Sequence, residues 1–309
     1  MKGFATILIL VFLVPLALAD ITTGLVGYWK FDENSGTSAL DSSGSNLTGT
    51  LSGSPLRDGG YTNNDINFDG TNDDVNIVGS SLLNIDRNMT VSLWFFNWVL
   101  DEGDILQKGV GLNGYVVWYA PSQARKILWG KQGADISLFA KTTTDFNASG
   151  NMNKWFHLVG VTDVNQNKIY VNGVFEGNSS APSNYTNNGN LYFGNGPSGD
   201  GRQKGKIDEI RIYNRPLSQA DINQLYYCQP PTLIARDWII NGNTNCTTAD
   251  LNTSSIIAGG NVDIQNGSLT LAQDFNLSVR TGKSILIRKT PLMKSWLWLK
   301  KRVNLLVKK

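Results

Sequence analysis

Carboxylates have the widest range of chemistry open to them in this chain, and their spacing decides how much of it they can do. Glycoside hydrolysis needs two carboxyl groups flanking one bond, and along a β-strand only residues an even number apart share a face. Asp208-Glu209, Asp101-Glu102 and Asp73-Asp74 are adjacent pairs, so each sends its two carboxylates to opposite faces. His157 is the only histidine; it lies in WFHLVGV with Val159 and Val161 on its face, and neither a nucleophile nor an orienting acid accompanies it. The sequence therefore predicts no enzyme. The paired acids read as turn and surface groups and His157 as a structural side chain.

Binding chemistry is better supplied. In GKIDEIRIYNR (205–215), alternation sets Asp208, Ile210 and Ile212 on one face and Glu209, Arg211 and Tyr213 on the other. A carboxylate on an apolar face needs a partner, and calcium, which takes roughly six to eight oxygens, would supply one. Asp32, Asp41 and Asn46 near the start of the chain, with Asp208 near the end of this region, are the expected ligands. Trp94, Phe96 and Trp98 share one face, and Tyr115, Trp118, Tyr119 and Trp129 lie on neighbouring strands. Flat rings of this kind pack on sugars. Sandwich cores also absorb aromatics, so most of these are expected inside, with Trp94 and Trp118 as candidate ligand rings. Cys228 and Cys246 are expected to form a disulfide, the usual state of a cysteine pair in an exported chain. N-x-S/T sequons at Asn46, Asn88, Asn147, Asn178, Asn184, Asn245, Asn252, Asn266 and Asn276 make a glycoprotein expected, and a glycan on Asn46 would compete with metal binding there.

Export itself is read from residues 1–19, where Lys2 precedes an apolar run and Ala17-Leu18-Ala19 forms an A-x-A cleavage site. After Asp274 no acidic residue occurs, while Lys283 to Lys309 hold nine basic ones. The preceding body is thus net acidic, which excludes nucleic acid and suits cations and neutral ligands.

The elements that must position these groups are short strands. GLVGYWKFDE, INFDGTNDDVNI, MTVSLWFFNWVL, GYVVWYA, KILWGK, KWFHLVGVTDVNQNKIYVNGVFEG and NLYFGN precede GKIDEIRIYNR, each bounded by Gly or polar turns. Asn172-Gly173 marks a tight hairpin. About a dozen strands without helical periodicity predict an all-β antiparallel sandwich. One helix is expected, capped by Ser218 with Asp221 as its capping-box partner.

Taken in order, GLVGYWKFDENSG, DSSG, INFDGTNDDV, TVSLWF, WFHLVGV, IYVNGV, NLYFGN and GKIDEIRIYNRPLSQADINQLY resemble the laminin-G-like jelly roll of the concanavalin A-like lectin/glucanase superfamily, over about residues 24–227. The resemblance implies two curved sheets, frequent calcium sites at loop ends, and recognition of carbohydrate or protein at the cell surface. The E-x-D-x-x-E arrangement of the superfamily's glucanases is absent. Similarity to pentraxins implies a calcium-dependent ligand site in the loop of 194–205, where Asn195, Asp200 and Gln203 fall near the pattern and one of the pentraxin acids is missing.

Four segments follow: a signal peptide (1–19), the jelly roll (20–227), a β-rich fragment (228–280) resembling the first coils of a parallel β-helix, and a poorly ordered basic tail (281–309). The tail is read as a truncated or altered frame, a membrane-surface segment or a solvated end, and it offers the only expected membrane contact. The expected function is a secreted, non-catalytic module, calcium-stabilised, that binds carbohydrate or a surface protein. The alternatives are a structural spacer of a surface-layer or adhesin-like protein, and a glycan hydrolase.

Overall fold

The computed structural model describes residues 21–97, 103–109, 114–131, 135–181, 186–196 and 203–228, and beyond them the backbone of eight short strands. The first strands are β1 (Leu25–Trp29), β2 (Ser38–Ala39), β3 (Gly49–Ser52), β4 (Ile66–Asp69), β5 (Asp74–Ile77), β6 (Met89–Asn97), β7 (Gly103–Lys108) and β8 (Tyr115–Ala120). They are followed by β9 (Lys126–Lys131), β10 (Ala140–Lys141), β11 (Lys154–Thr162), β12 (Gln166–Val171), β13 (Val174–Ser180), β14 (Leu191–Phe193), β15 (Lys204–Tyr213) and the helix α1 (Gln219–Tyr227).

Two antiparallel sheets form the sandwich. Sheet A runs β1-β15-β6-β11-β12-β13 with β4 also paired to β15, and sheet B runs β10-β9-β8-β7-β14-β5-β3-β2. Alternation explains the core between them. Leu51, Val75, Ile77, Leu191, Phe193, Leu106 and Val117 of sheet B meet Leu93, Phe95, Leu158, Ile207, Ile210 and Ile212 of sheet A in one buried cluster. Trp29 and Trp129 are fully buried there, and each satisfies its ring N–H: Trp29 Nε1 donates to Leu47 O at 2.8 Å and Trp129 Nε1 to Thr162 Oγ1 at 3.0 Å.

Asp208 departs from simple alternation. Asp208 pairs with Trp94 and Arg211 with Ser92, so β15 carries an extra residue between them, and Glu209 takes φ 56° to accommodate it. Ile207, Ile210 and Ile212 therefore share the core, and Asp208 does not lie beside Ile210 as the sequence suggests. Its carboxylate turns to the far side of sheet A, under the segment 57–65.

The helix forms as expected. Asp221 N donates to Ser218 Oγ at 3.2 Å, and Ser218 N donates to Asp221 Oδ2 at 2.9 Å. Ile222 and Leu225 then bury against Val159, Val161, Tyr170 and Tyr213, covering part of the outer side of sheet A. No helix among the described residues is long and apolar enough to cross a membrane.

Past the helix come β16 (Trp238–Asn241), β17 (Thr244–Cys246), β18 (Ser255–Ala258), β19 (Val262–Gln265), β20 (Leu269–Leu271), β21 (Asn276–Val279), β22 (Ile285–Arg288) and β23 (Asn304–Val307). All their pairings are parallel: β16 with β19 and β19 with β22, β17 with β20, β18 with β21 and β21 with β23. Strand pairing thus continues into the segment that composition sets aside as a tail. Cys228 is buried at the end of α1, while the side chain of Cys246 lies outside the described residues.

Gly160 shows how tightly the two sheets meet, since a Cβ there would stand 2.3 Å from Cδ2 of Trp129. Gly160→Ala is expected to destabilise the domain by about 1–3 kcal/mol through overpacking, read as a lower urea midpoint. An unchanged midpoint would mean that Trp129 can yield.

Candidate functional site

The outward face of sheet B carries an in-register row of side chains. Thr50 faces Asn76, Asn76 faces Tyr192, Tyr192 faces Gln107 and Gln107 faces Val116. Each points outward because its strand neighbours point into the core. With neighbouring strands about 4.8 Å apart, the row spans roughly 19 Å. Thr50 is exposed, and Asn76 and Tyr192 are half-buried. A second row sets Asp104 opposite Trp118, Trp118 opposite Leu128 and Leu128 opposite Lys141.

Where these rows approach the 194–203 loop, oxygen atoms accumulate without partners. Gln107 is only 2% exposed; its Nε2 donates to Gly109 O at 3.1 Å, and its Oε1 has no partner. Gln203 is 3% exposed; its Nε2 donates to Lys204 O at 3.0 Å, and its Oε1 likewise has none. Each amide is thereby fixed by its donating nitrogen, with its carbonyl oxygen left over. Asn195 Oδ1 and Asn76 Oδ1 are also buried and unpartnered. A Cβ on Gly196 would stand 2.0 Å from Gln107 Oε1 and 2.9 Å from Asp104 Oδ2, so these two oxygens converge on a residue that must be glycine. Burial pushes the Asp104 carboxyl up to about 7, and no charged neighbour among the described residues acts on it.

Of the ligand residues named from the sequence, Asn195 and Gln203 flank this place, Trp118 lies on the same face half-exposed, and Asp200 is outside the described residues. Trp94 corrects the expectation that it presents a ring to ligand. It is 2% exposed, stacked at 3.4 Å beneath Tyr61 and flanked by His157 of the same sheet and Tyr226 of α1, on the outer side of sheet A. Asp104, Gln107 and Tyr192 were not expected. The first two are an odd number apart, and a bulge between Asp104 and Leu106 brings both to one face.

The residues named for calcium divide into two places. Asp41 accepts from Tyr28 N, Ser43 N, Ser43 Oγ and Leu47 N at 2.8–3.0 Å, so its carboxylate is used in shaping its own turn. Asn46 is exposed in the left-handed conformation at φ 57°. Asp32 and Asp208 instead belong to a buried charged group with Asp65, Glu209, Arg211 and Lys206. Glu209 accepts from Tyr28 Oη at 2.6 Å, Arg211 at 2.8 Å and Thr62 Oγ1 at 3.0 Å, and Lys206 pairs with Asp58 and Asp65. Asp208 Oδ2 accepts from Thr62 N at 2.9 Å while its Oδ1 has no partner. Burial first, and then Glu209, holds the Asp208 carboxyl well above the usual range, and the same causes raise Asp32. The four-residue calcium set is therefore not assembled. Among the described residues no three Asp, Glu, His or Cys side chains gather to hold a metal ion.

His157 is fully buried, 2.8 Å from Ser92 Oγ, and held down to about 3 by burial and the Arg211 charge. A neutral, enclosed imidazole is structural here.

Residues 69–223 match the laminin-G family described as the concanavalin A-like lectin/glucanases superfamily. The chain belongs to this superfamily. Among solved structures, it is similar to the binding domain of Paraclostridial Mosquitocidal Protein 1, with 17% identity and a TM-score of 0.57 over 71% of this chain and 55% of that one. It is also similar to domain 4 of AbnA, a GH43 extracellular arabinanase from Geobacillus stearothermophilus, in complex with arabinotriose: 22% identity, TM-score 0.52, 64% of this chain and 96% of that one. A third is the binding domain of Botulinum Neurotoxin DC in complex with SialylT: 16% identity, TM-score 0.57, 71% of this chain and 55% of that one. The chain thus spans about half the length of the toxin domains. At these identities the likeness is one of fold. No curated protein matches the sequence.

The raised Asp104 carboxyl makes a test of the site. A folded value of about 7 against about 3.9 unfolded means that this group's share of stability is complete below pH ~4 and is lost as pH rises through ~7. Asp104→Asn should match the parent near pH 4 and exceed it at pH 8 by on the order of a few kcal/mol, read from urea melts. Parallel pH profiles would show that Asp104 is solvated and not part of a buried site.

Proposed function

We propose that this chain is an exported, non-catalytic recognition module that binds a glycan, or a protein at the cell surface, across the outward face of sheet B. The row Thr50, Asn76, Tyr192, Gln107 carries this reading, because it joins hydroxyl, amide and ring groups over a length suited to an extended ligand, and its amide oxygens await donors. In support, proteins of the same fold were solved with arabinotriose, with SialylT and with synaptotagmin II. An extracellular place agrees with the leader-like start and with the extracellular arabinanase among the similar structures. A titration series of oligosaccharides against the chain should find one that binds, and Tyr192→Ala should weaken it at least about tenfold, the scale of a lost ring contact, without changing the melting temperature. A blank series with self-association would favour the second reading, a structural spacer. The parallel pairing of β16 to β23 favours that reading, and we propose that these strands are coils of a β-helix that presents the sandwich.

Calcium is proposed at one place only, beside Asp32 and Asp208. Each has a buried Oδ1 without a partner, and the cations facing the four carboxylates among the described residues are Arg211, Lys206 and, beside Asp32, Lys30. A cation there would let Asp208 ionise, and a hundredfold excess over its dissociation constant should stabilise the fold by about 2.7 kcal/mol. Melting temperatures with calcium and with chelator at pH 7.5 decide it. Equal values mean that protonation, not metal, neutralises Asp208.

A further inference from the structure

Asp104 is a half-buried carboxylate that has no counter-charge among the described residues. Among the described residues, the basic groups around the outward face of sheet B are engaged elsewhere. Lys108 Nζ donates to Asn187 O and Gly189 O, Lys126 Nζ to Thr143 O, and Lys141 Nζ to Gln123 Oε1. The other acid of the face is Asp74, on β5, which is bonded to Ser52. None of these charges acts on Asp104, whose shift comes from burial among the described residues. The groups nearest it add acceptors, not donors. Gln107 Oε1 converges with Asp104 Oδ2 on Gly196, and Asn195 Oδ1 is buried beside them. The ring opposite Asp104 in register is Trp118, half-exposed.

We propose that the outward face of sheet B selects a glycan bearing a free, protonated amino group, an unacetylated hexosamine unit, whose ammonium sits between the Asp104 carboxylate and the Trp118 ring. The proposal rests on the reading of this face as a glycan site and names the ligand class. One carboxylate among neutral carbonyls matches a single positive charge with several N–H donors. A divalent cation would call for roughly six to eight oxygens and more negative charge. An indole beside a carboxylate adds the attraction of a cation to a ring face. A sugar is favoured over a lysine side chain because the Thr50, Asn76, Tyr192 row continues away from Gln107 with groups suited to further hydroxyls. N-acetylation removes the charge, leaves one N–H and adds bulk, so the site should discriminate against it.

The test is calorimetric titration of the chain with a β-linked glucosamine oligomer, its N-acetylated form, a neutral glucose oligomer of equal length and a lysine-rich peptide. The amine oligomer is expected to bind about tenfold or more tightly than the acetylated and neutral ones, the scale of one charge-assisted contact. Its binding should peak near pH 7, weakening at lower pH as Asp104 takes up a proton and at higher pH as the sugar amine loses the charge that the site recognises. Asp104→Asn and Trp118→Leu should each remove the preference and leave the weaker neutral binding, with circular dichroism confirming the fold. The acetylation comparison needs no variant and stands even if one fails to fold. Equal affinity for all three oligomers would overturn the proposal and leave the glycan reading intact. Binding indifferent to the amine and lost to chelator while circular dichroism shows the fold unchanged would make the ligand site metal-dependent and overturn it too. Tighter binding of the lysine peptide would make the partner a protein. No oligosaccharide binding at all would remove the glycan reading and this proposal with it.

Discussion

The bulge at Asp208–Glu209 is the constraint on which the rest of the sandwich depends. β15 touches three other strands, β1, β4 and β6, so a residue inserted in it displaces side chains relative to all of them. By adopting φ 56°, Glu209 keeps Ile207 and Ile210 both in the core and sends Asp208, Glu209 and Arg211 to the outer side. There Arg211 stacks 3.9 Å over the Tyr28 ring and pairs with Glu209, while Thr62 reaches both acids. Non-glycine residues with positive φ carry strain. Here the carboxylate bonds that fasten the segment 57–65 to the sheet offset it.

That fastening settles which face of the molecule is available. Tyr61 and the helix residue Tyr226 close over Trp94 and His157, and Ile222 and Leu225 cover more of the same side, so much of the outer surface of sheet A becomes a second interior. Sheet B is covered only toward β8–β10, where Phe139 and Ile136 lie on Val116, Leu128 and Ala120. The strands β3, β5, β14 and β7 keep an outward surface with polar groups on it. The face proposed for recognition is thus the one that the described structure leaves uncovered, the other being used for stability.

How far the sequence discloses this depends on parity. Strand alternation, the Asn172-Gly173 hairpin and the Ser218 capping box are local patterns, and each carries through to the fold unchanged. Parity fails where a strand gains a residue, and both bulges that matter stand at charged positions. One separates Asp208 from Ile210's face; the other unites Asp104 with Gln107. A bulge has no side-chain signature of its own unless glycine marks it, and neither Glu209 nor Ile105 is glycine. Trp94 escapes prediction for a different reason. Its neighbours on the strand say only that it faces away from the core, and a segment about thirty residues earlier supplies the ring that buries it.

The same reasoning separates two kinds of buried carboxylate. Asp208 accepts from Thr62 N and Asp65 pairs with Lys206, so both help to fasten the segment 57–65 to the sheet, while Asp208 keeps one buried oxygen without a partner. Asp104 is half-buried and fastens nothing in the described residues, and a carboxylate partly taken out of water without a partner is held back from ionising. A fold gains no stability from retaining such a group. Its position beside a half-exposed indole and convergent amide oxygens therefore points outward, to a ligand that brings the missing donors and charge.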